Sequence, residues 1–521
     1  MNERLSLSYL EHGLLEHDSE RKLRPNLSVI TRPARSENTQ YIVHLGIGAF
    51  HRAHQAVYTQ RANELAGSDW RIIGVSMRSA AVFDQLAPQD GLYTVIEQSP
   101  EHKNGKHSHI ISVIDEVLVA PDSPSAVVNK IASPQTQIVS LTITEKGYCL
   151  DPASGHLDLS HADIKHDLAN VSAPKSAIGL IVSALKQRIE NKRKPLTIIS
   201  CDNLPENGLR LKGSIIRFAE QLDEALAQTI ENHYCFPCTM VDRIVPATTK
   251  ALINKLSEEL GYRDYGLVTT EAFSQWVIED NFAQGRPAWD SAGAIFAKTQ
   301  ADVQAFETMK LRLLNGAHSS IAYLGYLAGK TFVADVMKVP ALSNFIRYIM
   351  QEELLPTVKV PDGIDAQHYC HELLTRFSNE HLHHRCYQIA MDGSQKLPQR
   401  LLAPLHWRLI NEQEVRGICL VIAAWMQYVS GIGFDGQEIT VQDPFADDLA
   451  ALAKAHRHHR EDTQSYIERM INFEAVFGSE FKQDPAFYSQ LLATLLDCYE
   501  RFTSSPNIES ALTDFLSEVK H

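Results

Sequence analysis

Cysteine is scarce in this chain: eight in 521 residues, too few for a disulfide-stapled scaffold. The one close pair, Cys235-Phe236-Pro237-Cys238, has CxxC spacing but runs straight into Thr239-Met240-Val241-Asp242-Arg243. A redox motif should open a helix in a βαβ unit, so the pair reads as two ordinary thiols near a strand. Long apolar runs are missing as well. The longest candidate, Ile418 to Met426, falls well short of the roughly 18 residues a membrane helix needs. The start, Met1-Asn2-Glu3-Arg4, has no apolar signal core, and the expected location is the cytoplasm. Cations are outnumbered, 49 Lys and Arg against 63 Asp and Glu, for a net charge of −14. That balance argues against a nucleic-acid partner, but a locally positive site for a small anion is compatible with it. The expected partner is a small molecule, with no nucleic acid and no membrane.

What is present has an order. Hydrophobic residues make up 44% and charged residues 21%, enough apolar material for packed cores in two to four domains. Residues 1–38 are polar and mixed and read as a loosely packed lead segment. Between 39 and 295, strand-like runs at 41–45, 70–77, 109–114, 138–143 and 196–200 alternate with helical patterns such as 176–190. This alternation predicts an α/β domain with a doubly wound, Rossmann-type sheet. Between 296 and 521 long helical patterns dominate: 303–327, 341–355, 366–377, 412–429 and 485–502. Asp484 and Pro485 form an N-cap and first-turn pair at the last of these. A mostly α-helical C-terminal domain is predicted.

Several constellations can carry chemistry. Gly46 and Gly48, in Leu45-Gly46-Ile47-Gly48-Ala49-Phe50, follow a predicted strand and precede a helix. The first permits a tight turn, and the second lets backbone approach a pyrophosphate. His51 stands where a third glycine is usual. The second strand ends in Ser76-Met77-Arg78-Ser79, with no acid before Asp84 to grip an NAD ribose. Arg78 suits a 2′-phosphate, so NADP is not excluded. In Lys310-Leu311-Arg312-Leu313-Leu314-Asn315-Gly316-Ala317-His318, ideal helical geometry sets Asn315 about 140° and His318 about 80° from Lys310, on one broad wall. Glu307 lies one turn back. A lysine acts as a base only if burial or cationic neighbours lower its pKa toward roughly 7–8; otherwise it snorkels along a leucine-rich helix. Ser200-Cys201-Asp202-Asn203 leaves a strand end where ligand crevices form. The histidine-rich runs 381–385 and 456–460 lack metal-ligand spacing and read as solvated helix faces. Residues 390–400 make a polar loop with two cations, Lys396 and Arg400.

Taken together and in order, these segments resemble the mannitol dehydrogenase family of polyol-specific long-chain dehydrogenases. The matching stretches are 44–55, 140–149, 200–208, 236–246, 275–280 and 310–318, with the Lys396 loop. The stretches 164–168, 173–179 and 388–400 look most like the branch that acts on hexuronates; there Gln388 stands at an arginine site of the mannitol branch, which does not show Arg400. The resemblance implies an NAD-dependent, metal-independent oxidoreductase interconverting D-fructuronate and D-mannonate. Lys310 matches the catalytic lysine, Asn203 and Asn315 the amides that stabilise an alkoxide, and His318 a substrate-orienting residue. Glu307, Asp242, Lys396 and Arg400 match positions around the substrate, with Arg400 or Arg385 as candidate partner of its carboxylate. Gly46, Ile47, Gly48, Ala49, Phe50 and Arg78 match the cofactor region. The family implies a monomer or weak oligomer. Mannitol 2-dehydrogenase or tagaturonate reductase activity, and a dinucleotide-binding regulator without turnover, are the alternatives.

Overall fold

The computed structural model describes residues 3–12, 39–99, 105–151, 154–433, 436–458 and 461–519. The chain forms two compact units, Met1–Gln304 and Ala305–His521. Most of the expected lead segment, 13–38, lies outside the described residues. Its first part is not loose: Leu5 and Tyr9 are buried against Leu92, Ile96 and Tyr262.

Among the described residues, the N-terminal unit has eleven strands. They are β1 (Gln40–Leu45), β2 (Trp70–Ser76), β3 (Tyr93–Gln98), β4 (Lys106–Ile111), β5 (Ile114–Val119), β6 (Thr136–Leu141), β7 (Thr197–Ser200), β8 (Thr239–Asp242), β9 (Val268–Glu271), β10 (Gln275–Glu279) and β11 (Ile295–Ala297). Five of them form a parallel sheet in the order β5-β2-β1-β6-β7. β2, β1, β6 and β7 are buried nearly throughout because both faces of the sheet are covered, whereas the edge strand β5, with Asp115 and Glu116, is half-buried. Alternate residues of β1 show this. Tyr41, Val43 and Leu45 enter one core with the helix Ala177–Glu190, while Ile42 enters the other with the helix Gln55–Ala66. The order reverses between β1 and β6, so a crevice opens at their carboxyl ends.

The run 109–114, expected as one strand, is divided. Its first part belongs to β4, antiparallel to β3, and its last residue starts β5 in the parallel sheet. The break falls where the chain changes sheet, which apolar periodicity does not report. The smaller sheets, β4-β3-β9 and β11-β10-β8, contain strands that carry polar residues and lack clean alternation.

The C-terminal unit is helical. Its centre is the helix Arg416–Val429, buried from Gly417 through Met426. A helix apolar all round belongs in a core, and this accounts for the longest apolar run of the chain. Its first backbone N–H groups reach a carboxylate from another segment: Glu353 accepts from Gly417 N at 2.7 Å and Ile418 N at 2.8 Å. A Cβ on Gly417 would lie 2.5 Å from Glu353 Oε1, so any side chain there would displace the capping carboxylate. Asp484 caps Pro485–Ser504 as expected, accepting from Ala486 N and Phe487 N. The predicted helix 303–327 is interrupted. Two α-helices, Gln300–Met309 and Gly316–Leu327, flank a π-helical turn, Lys310–Asn315. Among the described residues, no helix is long and apolar enough to cross a membrane.

Candidate active site

In the N-terminal unit, a cleft of about 510 Å³ lies at the carboxyl ends of β1, β2 and β6. Gly46, Ile47, Gly48 and Arg78 line it, together with Thr142, Ile143 and Thr144 after β6. Gly46 has φ +94°, and a Cβ there would lie 2.1 Å from the Thr142 carbonyl oxygen. No other residue fits this turn without moving backbone. A Cβ on Gly48 would meet only the Gly46 oxygen, at 3.8 Å, so the cleft side of Gly48 is open. Ala49 and Phe50 pack toward the core instead, with Phe50 stacked on His54. The helix after the turn, Ala49–Ala53, is only five residues long and breaks at His54. Anion binding here therefore rests on local N–H groups more than on a long helix dipole.

His51, in place of the third glycine, stacks on His44 at 3.4 Å between ring centroids. His44 is bonded to Ser140 Oγ and Thr142 Oγ1, each at 2.8 Å. Burial pushes His44 down to about 3 and His51 well below its ordinary range, so both rings are neutral at pH 7. Two uncharged imidazoles fill the helix–strand contact that a glycine leaves to backbone.

The wall after β6 is held by Asp202, a residue with no distinct sequence signal. Its carboxylate accepts from Ile143 N (2.9 Å), Thr144 N (3.0 Å) and Tyr148 Oη (2.7 Å). Burial raises the Asp202 carboxyl, and these bonds oppose that rise. Thr144 sits at φ 63°, ψ 164°, a conformation costly for any residue except glycine. Asn203 follows at the end of the β7 loop and is exposed. Asn207 ties this loop to β8: its side chain donates to Thr239 O and accepts from Thr239 N, both at 2.9 Å. Asp242 ends β8 and is buried. The eight cysteines, Cys235 and Cys238 among them, are unbridged.

One further cluster in this unit has potential metal ligands. Glu97 Oε2 lies 3.3 Å from His109 Nε2 and 3.9 Å from His107 Nδ1. Its other oxygen accepts from Arg243 at 2.6 Å. Burial raises the Glu97 carboxyl, but His109 and Arg243 outweigh it and hold the group at about 2. Glu97, His107 and His109 lie on the β3–β4 hairpin, and the Glu97–Arg243 ion pair ties that hairpin to the end of β8.

In the C-terminal unit, Lys310, Asn315 and His318 are 8%, 8% and 7% exposed. The π turn corrects the ideal-helix geometry. With hydrogen bonds five residues apart, Asn315 swings toward the line of Lys310 rather than standing about 140° away. Glu307 precedes the turn on the helix Gln300–Met309. Burial pushes His318 well below its ordinary range, and His384, Arg400, Arg376 and Lys310 push the same way. His318 is thus a neutral imidazole with one donor and one acceptor nitrogen.

His384 corrects the reading of residues 381–385 as a solvated helix face. Glu380–Leu382 is a single 3₁₀ turn and His383 is left-handed at φ 49°. That bend turns His384 inward, edge-on to His318 at 5.4 Å. Burial, then Lys396, lowers His384 to about 4. In the second histidine run, His456 stacks on Tyr466, while residues 459–460 lie outside the described residues. Lys396 donates to Ile389 O (3.3 Å) and Met391 O (2.5 Å). Arg400 donates to Ser319 Oγ, next to His318. Arg385 is exposed and lines a pocket of about 390 Å³ with Tyr326, Lys330 and Glu438. Of the two arginine candidates, only Arg400 is found with the His318 group.

Comparison with known proteins matches this architecture. Residues 40–291 match the mannitol dehydrogenase Rossmann domain and residues 302–499 the mannitol dehydrogenase C-terminal domain. The chain is 45% identical to D-mannonate oxidoreductase of Escherichia coli over 464 residues, 88% of this chain and 93% of that protein. It is 38% identical to mannitol 2-dehydrogenase of Aspergillus terreus over 459 residues, 87% and 89% of the two chains. Among solved structures it is similar to Pseudomonas fluorescens mannitol 2-dehydrogenase in ternary complex with NAD and D-mannitol. That match has 35% identity and a TM-score of 0.79, over 95% of this chain and all of that one. The chain belongs to the mannitol dehydrogenase family.

Proposed function

We propose that this chain is a nicotinamide-dependent oxidoreductase that interconverts D-fructuronate and D-mannonate. The observation that carries the reading is the buried Lys310, Asn315 and His318 set on one π turn and its following helix. Such a set supplies a proton carrier, an amide donor and a neutral imidazole in one place. The uronate is preferred over a neutral ketose because the identity to a D-mannonate oxidoreductase exceeds that to a mannitol 2-dehydrogenase.

The cleft fits a dinucleotide. Gly46 makes the turn only glycine allows, Gly48 leaves backbone open, and the cleft sits at the reversal of strand order. Gly46, Ile47, Gly48 and Arg78 would hold NAD, and Arg78 is compatible with NADP as well. The cofactor supplies or accepts a hydride. In reduction, Lys310 as ammonium gives its proton to the developing alkoxide oxygen, and Asn315 donates a hydrogen bond where negative charge grows. In oxidation, neutral Lys310 takes the hydroxyl proton. His318 orients a substrate hydroxyl. By the same resemblance Asn203 is assigned as a further amide donor, and Glu307, Asp242 and Lys396 as substrate-pocket residues.

The test is NADH oxidation followed by near-ultraviolet absorbance, with D-fructuronate and D-fructose side by side and then with NADPH. Strong turnover of fructuronate alone is expected. Preference for fructose would overturn the substrate and leave the Lys310 chemistry standing.

A further inference from the structure

Three buried arginines among the described residues are each satisfied by several acceptors, and the half-buried Arg400 is not. Arg188 donates to Ile131 O, Ser133 O and Lys194 O. Arg243 donates to Glu97, Ala53 O and Glu271 O. Arg408 donates to Glu414 O, Glu352 O and Glu353 O. Arg400 has five N–H donors, and among the described residues its one bond goes to Ser319 Oγ at 3.2 Å. It has no ion pair there. Burial lowers its guanidinium to about 10, and only Tyr323 opposes that.

Its surroundings are basic as well. His318 Nε2 and His384 Nδ1 are buried without a hydrogen-bond partner. The charged neighbours acting on His318 are Arg400, Arg376 and Lys310, with no carboxylate among them. Withdrawing a guanidinium even partly from water without a counterion is unfavourable, and a bound anion would offset that cost.

We infer that Arg400, beside His318, is the subsite for the substrate's carboxylate and sets the preference for a sugar acid over a neutral sugar. The planar guanidinium fork matches a carboxylate in two parallel bonds. The open His318 Nε2 then takes a neighbouring hydroxyl. A neutral ketose in the same place leaves the cation unpaired, and a site built for a partner rejects an analogue that lacks it. This inference rests on the hexuronate reading above.

The experiment compares wild type, Arg400→Met and Arg400→Gln for kcat/KM on D-fructuronate and D-fructose, with melting temperatures in the absence and presence of D-gluconate. In both variants the fructuronate-to-fructose ratio should fall roughly 100-fold, mainly through KM, the scale of a lost charged hydrogen bond. Arg400→Met should melt at or above the wild-type temperature without ligand, because a half-buried cation with no ion pair among the described residues has been replaced by an apolar chain. A merely structural arginine would give the opposite shift. A ratio unchanged in either folded variant overturns the inference. If wild type reduces no uronate, the hexuronate reading fails by itself. The anion subsite is then decided by D-gluconate: protection of wild type lost in Arg400→Gln supports it, and no protection of wild type overturns it.

Discussion

Replacing Asp202 with asparagine should loosen the wall after β6 that lines the cofactor cleft. The carboxylate uses both oxygens: Oδ2 accepts from Ile143 N and Tyr148 Oη, and Oδ1 from Thr144 N. Asparagine keeps one acceptor oxygen and presents an NH₂ group to the remaining N–H. One backbone bond to a charged group is lost, worth about 1.5–3 kcal/mol, and the relief of a buried charge offsets part of that. The bond to Thr144 also holds a β-branched residue at φ 63°, ψ 164°, which costs about 1–3 kcal/mol. With its restraint gone, Thr144 relaxes and the loop moves. The net loss should be about 2 kcal/mol, or roughly 3 °C in the melting of a unit this size, with NADH binding weakened about tenfold. Scanning calorimetry and a fluorescence titration of NADH read both. Thr144→Gly supplies the control. In the Asp202→Asn background it should have little effect, because the strain is already released; in wild type it should stabilise. Asp202→Asn with wild-type melting and wild-type NADH affinity would refute the argument, as would strictly additive effects of the two substitutions.

Two further predictions concern buried titratable groups. Lys310→Ala should lower turnover by about 10³-fold, within the range for loss of a general acid–base, while NADH affinity stays within about twofold; near-normal turnover would end the lysine's role. Burial raises the Glu353 carboxyl from 4.5 to about 7. Between those values the folded chain keeps a proton that the unfolded chain has released, so stability falls as pH rises through the window. The fall is (7 − 4.5) × about 1.36, or about 3 kcal/mol. Glu353→Gln removes this titration, so its melting temperature should change less than that of wild type between pH 4.5 and 7. Parallel curves for the two proteins would contradict the assignment.

Much of this molecule is written locally. A β1 strand running into Gly46 encodes a turn because one residue must adopt φ +94°. The Asp484-Pro485 pair encodes a helix start because cap and first turn lie within three residues. The run Ile418 to Met426 encodes a central helix because it has no polar face. These features depend on neighbours within a turn or two, which periodicity and backbone preference capture. Spacing alone left Lys310 as readily a snorkelling side chain; the resemblance of the 310–318 stretch marked Lys310, Asn315 and His318 as candidates, and their geometry was not legible at all. The π turn at Lys310–Asn315 departs from the regular helix by one residue, and sequence pattern alone does not distinguish the two. The remaining features join distant parts of the chain. Asp202 answers N–H groups 58 and 59 residues away, and Arg400 meets Ser319 across 81. His384 turns inward only because His383 adopts a left-handed bend. Local sequence sets which conformations a segment prefers. Which acid is buried against which N–H, and which cation is left without one, depends on packing that brings remote residues together and excludes water from them.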